Sequence, residues 1–477
     1  MNSLKQKISE SPFLRNFSLL SIGNFGTRFI SMITNIIVAR GLAPESFGVY
    51  SLVITYVSLL YFVASLGLGQ LVIRSVSRNQ GNSRYYFKIS LRLRVLGFLI
   101  SAVAFGIYGV VSSESFSTIA VLSILGGVFF ESLWDAQQNI AFGMQRMEWN
   151  AAVSIGSSVL NLLICICLPK RFFTVNIFLI IYLAIYIVKN IVYYVLLTRS
   201  GMLTEDGRHH DIDFRSCVLY LKEAMPFYIM YLLGIFTGQL PILFLNHFTN
   251  PEQVAFFNVA NKLLLPITLF MQSAFSAFFP NQSILFAKDR GAFSKQTRKV
   301  LFICTVVGVY FAVFVTLFKG EVVNILYGTE YGSASRVMAL QCWYTVMYGI
   351  FCINGQTLGA ADSQKKLAIC SIVYAFVSTP ILYFMSKRGA ESLAMAFVIA
   401  SIINLLYIMP VLKKTVGYSL TWKFSFGLVL GVIIMMTGSL VTSDLPLVFR
   451  IAIFVIVSIL FVVLWKKSRL SVQESAA

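Results

Sequence analysis

Charged side chains are scarce in this chain, 12% of 477 residues, against roughly 25% in an average soluble domain. That shortage, beside 57% hydrophobic residues, excludes a globular protein on one anchor and indicates a polytopic membrane protein. Acids are scarcer than bases, 19 against 38, and the net charge is +19. Nucleic acid is not the expected partner, because Lys and Arg gather in the cytoplasmic loops of membrane proteins. The seven cysteines (Cys165, Cys167, Cys217, Cys304, Cys342, Cys352 and Cys370) are odd in number and lie mostly inside apolar runs. None has zinc-type spacing, so they read as small packing residues. A GxxxxGK[ST] phosphate loop is missing, and ATP hydrolysis is not expected. Nor is a cleavable signal peptide expected: Lys5, Lys7 and Arg15 precede a first apolar run too long for one.

What the chain has in quantity is long apolar runs. Fourteen are long enough to cross about 30 Å of hydrocarbon. They are predicted at 17–38, 48–69, 94–111, 116–138, 150–168, 174–197, 224–246, 255–279, 299–318, 335–358, 366–386, 391–412, 424–442 and 447–465. With the N-terminus inside, 27 Lys and Arg fall on the cytoplasmic side and eight on the other, leaving Arg28, Lys189 and Lys262 within spans. Both termini are therefore expected to be cytoplasmic. Arg74, Arg78, Arg84, Lys88, Arg92 and Arg94 form a basic segment between spans two and three. It reads either as a positive-inside loop or as a surface for phosphate head groups. The longest inside loop, Thr198 to Lys222, holds Glu205, Asp206, Asp211 and Asp213 beside His209 and His210. A solvated hinge is expected there in preference to a metal site.

The first hairpin carries a polar stripe. Ser21, Asn24, Arg28, Ser31 and Asn35 recur every three or four residues, on one side of a helix. An Arg at that depth costs at least about 2.5–3.5 kcal/mol, so Arg28 should face protein or water. A shift of 207 residues lays Pro44-Glu45-Ser46-Phe47-Gly48-Val49-Tyr50 over Pro251-Glu252-Gln253-Val254-Ala255-Phe256-Phe257. Six spans separate the copies, which makes this a parallel repeat about an axis along the membrane normal. The predicted fold is all-α, with two six-helix bundles around a central cavity and two further C-terminal helices. Residues 1–198 form the first bundle, 199–223 a cytoplasmic linker, 224–414 the second bundle, and 415–477 the added helices and tail. The counterpart of Arg28 is Ile235, so the copies are not chemically equivalent.

The hairpin phrase Ile37-Val38-Ala39-Arg40-Gly41-Leu42-Ala43-Pro44-Glu45-Ser46-Phe47-Gly48-Val49-Tyr50 resembles the first outside turn of O-antigen-type polysaccharide repeat-unit flippases. These belong to the multidrug/oligosaccharidyl-lipid/polysaccharide exporter superfamily. Leu66-Gly67-Leu68-Gly69-Gln70, Ala224-Met225-Pro226-Phe227 and Asn324-Ile325-Leu326-Tyr327-Gly328-Thr329-Glu330-Tyr331 are similar to later segments of the same family, in the same order. The resemblance covers essentially the whole chain. It implies a bacterial inner-membrane transporter that moves an undecaprenyl-pyrophosphate-linked oligosaccharide from the cytoplasmic to the periplasmic leaflet by alternating access. Membrane lipids, a polysaccharide polymerase and chain-length machinery would be its partners.

A pyrophosphate and sugar hydroxyls must then cross a medium that cannot hydrate them. Fixed cations and neutral hydrogen-bonding groups in a wet cavity would meet that need. Arg28 is the first candidate, its planar fork suited to phosphate; the alternative is an intramembrane ion pair with Glu131 or Asp135. Those two carboxylates could instead couple transport to a proton or sodium gradient, and no other cofactor is expected. Lys189 shares a helical face with Tyr182, Tyr186 and Tyr193, which suits a glycan path or an aromatic packing stripe equally. Asn258, Asn261 and Lys262 cluster on span eight, with Gln272 farther along. Asn24, Asn35, Gln239, Gln341 and Asn354 are candidate sugar contacts. Gly238 with Pro241, and Pro266, mark places where helices could bend.

Competing functions fit less well. A drug/cation antiporter of the same superfamily would want an acidic cavity. A membrane polysaccharide polymerase or ligase would want a large outside loop, and a glycosyltransferase would want a nucleotide-sugar domain. The chain puts three cations and two carboxylates within its spans, which points towards an anionic cargo, and it has neither the large outside loop nor the nucleotide-sugar domain, so a transporter is expected rather than an enzyme.

Overall fold

The computed structural model describes residues 12–112, 116–205, 213–361, 363–416 and 422–473. Lys5, Lys7, Asp206, His209, His210 and Asp211, and the side chain of Ser21, lie outside the described residues. Among the described residues there are 18 α-helices, three single 3-10 turns and no strand. Among the described residues ten helices are long and apolar enough to cross a membrane, and a bent helix pair makes eleven. Two shorter apolar helices, Leu430–Thr442 and Leu447–Val462, follow near the C-terminus. A spanning chain has no alternative to helix here, because hydrocarbon leaves every backbone N–H and C=O to be satisfied within the segment.

The chain forms two compact units, Met1–Leu243 and Phe244–Ala477. The first holds α1 (Pro12–Gly41), α2 (Pro44–Ser65), α3 (Leu68–Arg78), α4 (Ser83–Ser112), α5 (Thr118–Gly143), α6 (Met147–Cys167), α7 (Val175–Arg199) and α8 (Phe214–Gly238). α5 is its centre, with α2, α3, α4 and α7 packed around it, while α1 lies along α6. α1 is 30 residues long.

The hairpin turn follows from local chemistry. α1 stops at Gly41, where an added Cβ would lie 1.7 Å from the Phe173 ring. Pro44 then opens α2 at a position whose N–H needs no helical partner. α2 ends in two left-handed residues, Leu66 (φ 49°) and Gly67 (φ 67°). A Cβ on Gly67 would meet the backbone of Tyr228 at 2.6 Å, so the turn accepts glycine only. Through this contact α8 sits on the α2–α3 corner, with Tyr220 Oη donating to Ser75 Oγ at 3.3 Å and Arg74 paired with Glu223 at 3.0 Å. α8 therefore falls in the first compact unit, Met1–Leu243.

α3 is the loop helix of this unit. Leu68, Leu71, Val72 and Val76 are buried on one face while Arg74 and Arg78 are solvated on the other. The predicted basic loop is thus mostly helical. α4 starts at Ser83 and carries Arg84, Lys88, Arg92 and Arg94 on into the apolar run. Ser83 Oγ accepts from Thr204 N at 3.0 Å, and Arg84 and Lys88 meet Glu205 at 3.5 and 3.6 Å. These contacts anchor the start of the interhelical linker.

The second unit opens from α9 (Leu240–Phe248) and holds α10 (Pro251–Leu263), α11 (Leu265–Lys288), α12 (Arg290–Leu317), α13 (Lys319–Tyr327), α14 (Ala334–Ala360), α15 (Gln364–Ser386), α16 (Ala390–Val416), α17 (Trp422–Thr442) and α18 (Leu447–Gln473). α14 is its centre, packed by α10, α11, α12, α15 and α16. The centres α5 and α14 are the fourth and tenth predicted spans, six apart, as a parallel repeat requires. Pro251 opens α10 as Pro44 opens α2. The copies differ in one respect: α2 is continuous, while α10 and α11 meet at a 41° bend at Leu264, next to Pro266. The ring of Pro266 cannot donate the missing helical bond. The α8–α9 break at Gln239 lies next to Pro241 in the same way.

α17 and α18 pack on α12. Tyr310, Phe314 and Phe318, one turn apart, hold Phe454 at ring distances of 5.3, 5.4 and 5.8 Å. Two ion pairs close the end of this packing. Arg450 grips Glu321 through both terminal nitrogens (3.0 and 2.7 Å) and donates to Leu317 O at 2.8 Å. Lys319 reaches Asp444 at 3.0 Å and Ser443 Oγ at 2.9 Å.

Candidate functional site

In the first unit, charge collects between α4, α5 and α7. One turn apart on α5, Glu131 and Asp135 face different partners. Asp135 accepts from Arg94 Nη2 of α4 and from Asn139 Nδ2 at 3.1 Å. Arg94 is 1% exposed and Asp135 20%. The Arg94 Nε donates to Ser90 Oγ at 3.2 Å. Its Nη1 is buried with no hydrogen-bond partner among the described residues. Asp135, one of the two carboxylates that the alternative reading of Arg28 offered it as partners, pairs with Arg94. The apolar-run prediction began span three at Arg94 and left it at the loop edge. Helix α4 instead carries it inward, because a carboxylate on α5 is there to receive it.

Glu131 faces Lys189 of α7, which is its electrostatic neighbour, and has no ion pair within 4 Å among the described residues. The Lys189 ammonium sits 3.6 Å from the Trp134 ring centroid and 5.5 Å from that of Tyr186. Cation–π contact of this kind contributes on the order of 0.5–2 kcal/mol. Tyr182 and Tyr186 pair at 4.8 Å. Tyr193, by contrast, is buried edge-on against Trp134 at 4.7 Å, so its part of the stripe is core packing. Asn190 Nδ2 donates to Phe130 O at 2.9 Å and Tyr186 O at 2.8 Å, fixing α7 against α5. Arg94 and Trp134 are the members that the sequence pattern did not single out. Trp134 stands three residues after Glu131, which is the signal for it; Arg94 offered none beyond its place at the end of a basic run.

Arg28 stands apart from this cluster. It is exposed on α1, as is Asn24, beside the stacked rings of Phe25 and Phe29 (6.3 Å). The opposite face of α1 is closed against α6, where Gly23 approaches Ala151. Asn35 Nδ2 donates to Ser31 O at 3.2 Å.

In the second unit the polar groups tie helices together. Gln341 Nε2 of α14 donates to Asn261 Oδ1 at 2.6 Å, and Gln272 Nε2 of α11 donates to Tyr348 Oη at 2.9 Å. Asn258 Nδ2 donates to Val254 O at 3.1 Å. Lys262 is half-buried in the last turn of α10, and Gln239 is half-buried at the α8–α9 break. Gln341 and Asn354, expected as sugar contacts, are buried in the core instead. Both amide atoms of Asn354 lack a hydrogen-bond partner among the described residues.

No group of three or more metal-ligating side chains occurs among the described residues. Of the linker acids, Glu205 is held by Arg84 and Lys88. Asp213 caps α8 through Ser216 N at 2.8 Å, and that hydrogen bonding holds its carboxyl below the usual range. All seven cysteines are free thiols.

Residues 13–286 match the family model described as "Polysaccharide biosynthesis protein". The capsular polysaccharide biosynthesis protein CapF of Staphylococcus aureus is 20% identical over 394 residues, which cover 77% of this chain and 92% of CapF. Among solved structures, an inward-facing multidrug resistance MATE family transporter of the MOP superfamily superposes with a TM-score of 0.61 at 15% identity, over 82% of this chain and 96% of that one. A MOP superfamily transporter from Pyrococcus furiosus, whose binding pocket is described as having reversed polarity, gives 0.57 at 15% identity over 85% and 97%. The fold is thus that of MATE-like transporters.

Proposed function

Because the chain belongs to the family of polysaccharide biosynthesis proteins, we propose that it carries a lipid-linked oligosaccharide across the membrane for surface polysaccharide assembly. It is a multi-pass membrane protein with a transporter fold, not an enzyme. The family match over more than half of the chain is the observation that carries the reading. The cargo is an undecaprenyl-pyrophosphate-linked repeat unit, of O-antigen or related type. It moves from the cytoplasmic to the periplasmic leaflet of the inner membrane by alternating access. A polysaccharide polymerase then receives it.

The cations within the spans suit an anionic cargo. Arg28, exposed with Asn24 on α1, takes a pyrophosphate oxygen through its fork. Asn35, Lys189 with Tyr186, and Lys262 with Asn258, Asn261 and Gln239 offer further contacts. Asp135 is occupied by Arg94. Glu131 is therefore the better carboxylate to take up a coupling proton or sodium ion. The likeness to multidrug transporters supports a second reading, drug/cation antiport.

A deletion strain tests both. Loss of the gene should leave undecaprenyl-linked repeat units on the inner leaflet and remove surface polymer. Arg28→Ala should reach the membrane and fail to restore polymer. Normal polymer with Arg28→Ala would sink the role given to Arg28. Normal polymer in the deletion strain itself, with loss of cationic-dye efflux, would select the antiporter.

A further inference from the structure

Away from that site, a small cavity opens at one end of α15 and α16. Its volume is about 240 Å³, and Lys366, Ile369, Cys370, Tyr407, Val411 and Lys414 line it. That is below the ~300–1,000 Å³ of pockets for drug-sized ligands, too small for a lipid-linked oligosaccharide. Two properties set it apart. Its floor is apolar and open on the outer side of the helix pair: Ile369 and Tyr407 are exposed, as are Leu406 and Ile403 beside them. Its rim is cationic: Lys365 and Lys366 occupy the first turn of α15, and Lys413 and Lys414 the last turn of α16.

The positions of the first two lysines are not explained by the helix that carries them. The first turn of a helix has a partial positive charge and disfavours cations. No acidic residue lies in that turn of α15, and Ser363 makes no side-chain cap. Lys366 Nζ donates to Thr415 Oγ1 at 2.9 Å, a neutral partner. Even with Asp362 counted, this end of the helix pair carries three net positive charges in sequence. The Lys and Arg distribution predicts that it lies at the cytoplasmic leaflet.

We propose that this cavity takes the phosphate and the upper part of one acyl chain of an anionic phospholipid, the phosphate between Lys366 and Lys414 and the chain along Ile369, Tyr407 and Val411, the rest of the lipid lying outside it. Charge on the rim selects an anionic head group, and the open apolar floor selects a lipid over a free phosphate. The site is independent of the transport reading, since it touches none of the residues assigned to cargo.

The test uses the full-length protein in phosphatidylcholine nanodiscs, with phosphatidylglycerol added in steps and binding read by native mass spectrometry. The double variant K366Q/K414Q should bind phosphatidylglycerol about thirty-fold more weakly, the loss expected from two head-group lysines. K387Q/R388Q, at the other end of α15, should bind as wild type. A photoactivatable phosphatidylglycerol bound to the wild type should label peptides containing Ile369, Tyr407 or Val411, a result that needs no variant to fold. Labelling confined to other helices, or equal binding by K366Q/K414Q and wild type, would overturn the site. Displacement of the lipid by millimolar inorganic phosphate or pyrophosphate would replace the lipid by a free anion as the ligand.

Discussion

Replacing Asp135 by asparagine would leave the guanidinium of Arg94 buried without a counter-charge. Arg94 is 1% exposed and Asp135 20%, so solvent screens the pair poorly. Breaking a buried pair from one side costs about 3–5 kcal/mol, because the remaining ion keeps its desolvation penalty. The substituted amide would still present a carbonyl to Arg94 Nη2 and Asn139 Nδ2, so the lower end of that range is expected. The double variant R94M/D135L removes both charges and should recover most of the loss, since apolar replacement of a buried pair is often neutral or stabilising. Thermal unfolding of wild type, R94M, D135L and R94M/D135L in one fixed detergent, followed as loss of the monodisperse peak, gives the four corners of a double-mutant cycle. A coupling energy below about 0.5 kcal/mol between the two positions would refute the assignment, because residues in contact at a buried pair couple by roughly 0.5–3 kcal/mol. The transport assay on the same variants separates roles. If R94M/D135L is stable and still restores surface polymer, the pair holds α4 to α5 and does nothing else.

Two further outcomes follow from the geometry. Gly67→Ala should lower the unfolding temperature, since a left-handed L-residue costs about 1–2 kcal/mol before the clash with the Tyr228 backbone is counted. Gly238→Ala, which meets open space, is the control and should not lower it. Glu321 and Asp444 are both held below the ordinary carboxylate range, first by hydrogen bonds from Arg450 and Lys319 respectively. Depressed carboxylates contribute stability that is fully present above the unfolded-state values and is lost as pH falls through the lower folded-state values. Thermal stability should therefore decline on acidification through and below that range, and R450M/K319M should flatten the decline. An unchanged slope in that variant would count against the two pairs as the source.

The span pattern and the repeat were legible because they are set by single segments. Hydrocarbon demands about twenty apolar residues per helix whatever their neighbours are, so the apolar runs marked the long helices before any packing was known. Pro44 and Pro251 marked matching helix starts because proline's missing N–H is tolerated there in any fold. Pro241 and Pro266 marked breaks for the complementary reason. The polar side of α1 was legible too, as periodicity in one helix.

What the tertiary structure decided is which polar groups meet. Asp135 met Arg94, 41 residues away, and not Arg28, because pairing depends on the rotation and neighbours of two helices, which no single helix encodes. Lys189 found the face of Trp134, while Tyr193 of the same stripe went into the core. Helix α8 packs on the α2–α3 corner, where the missing Cβ of Gly67 permits the approach of the Tyr228 backbone. Length and hydropathy are properties of one segment and survive in sequence; charge pairing and close backbone contact arise only between segments, and folding alone settles them.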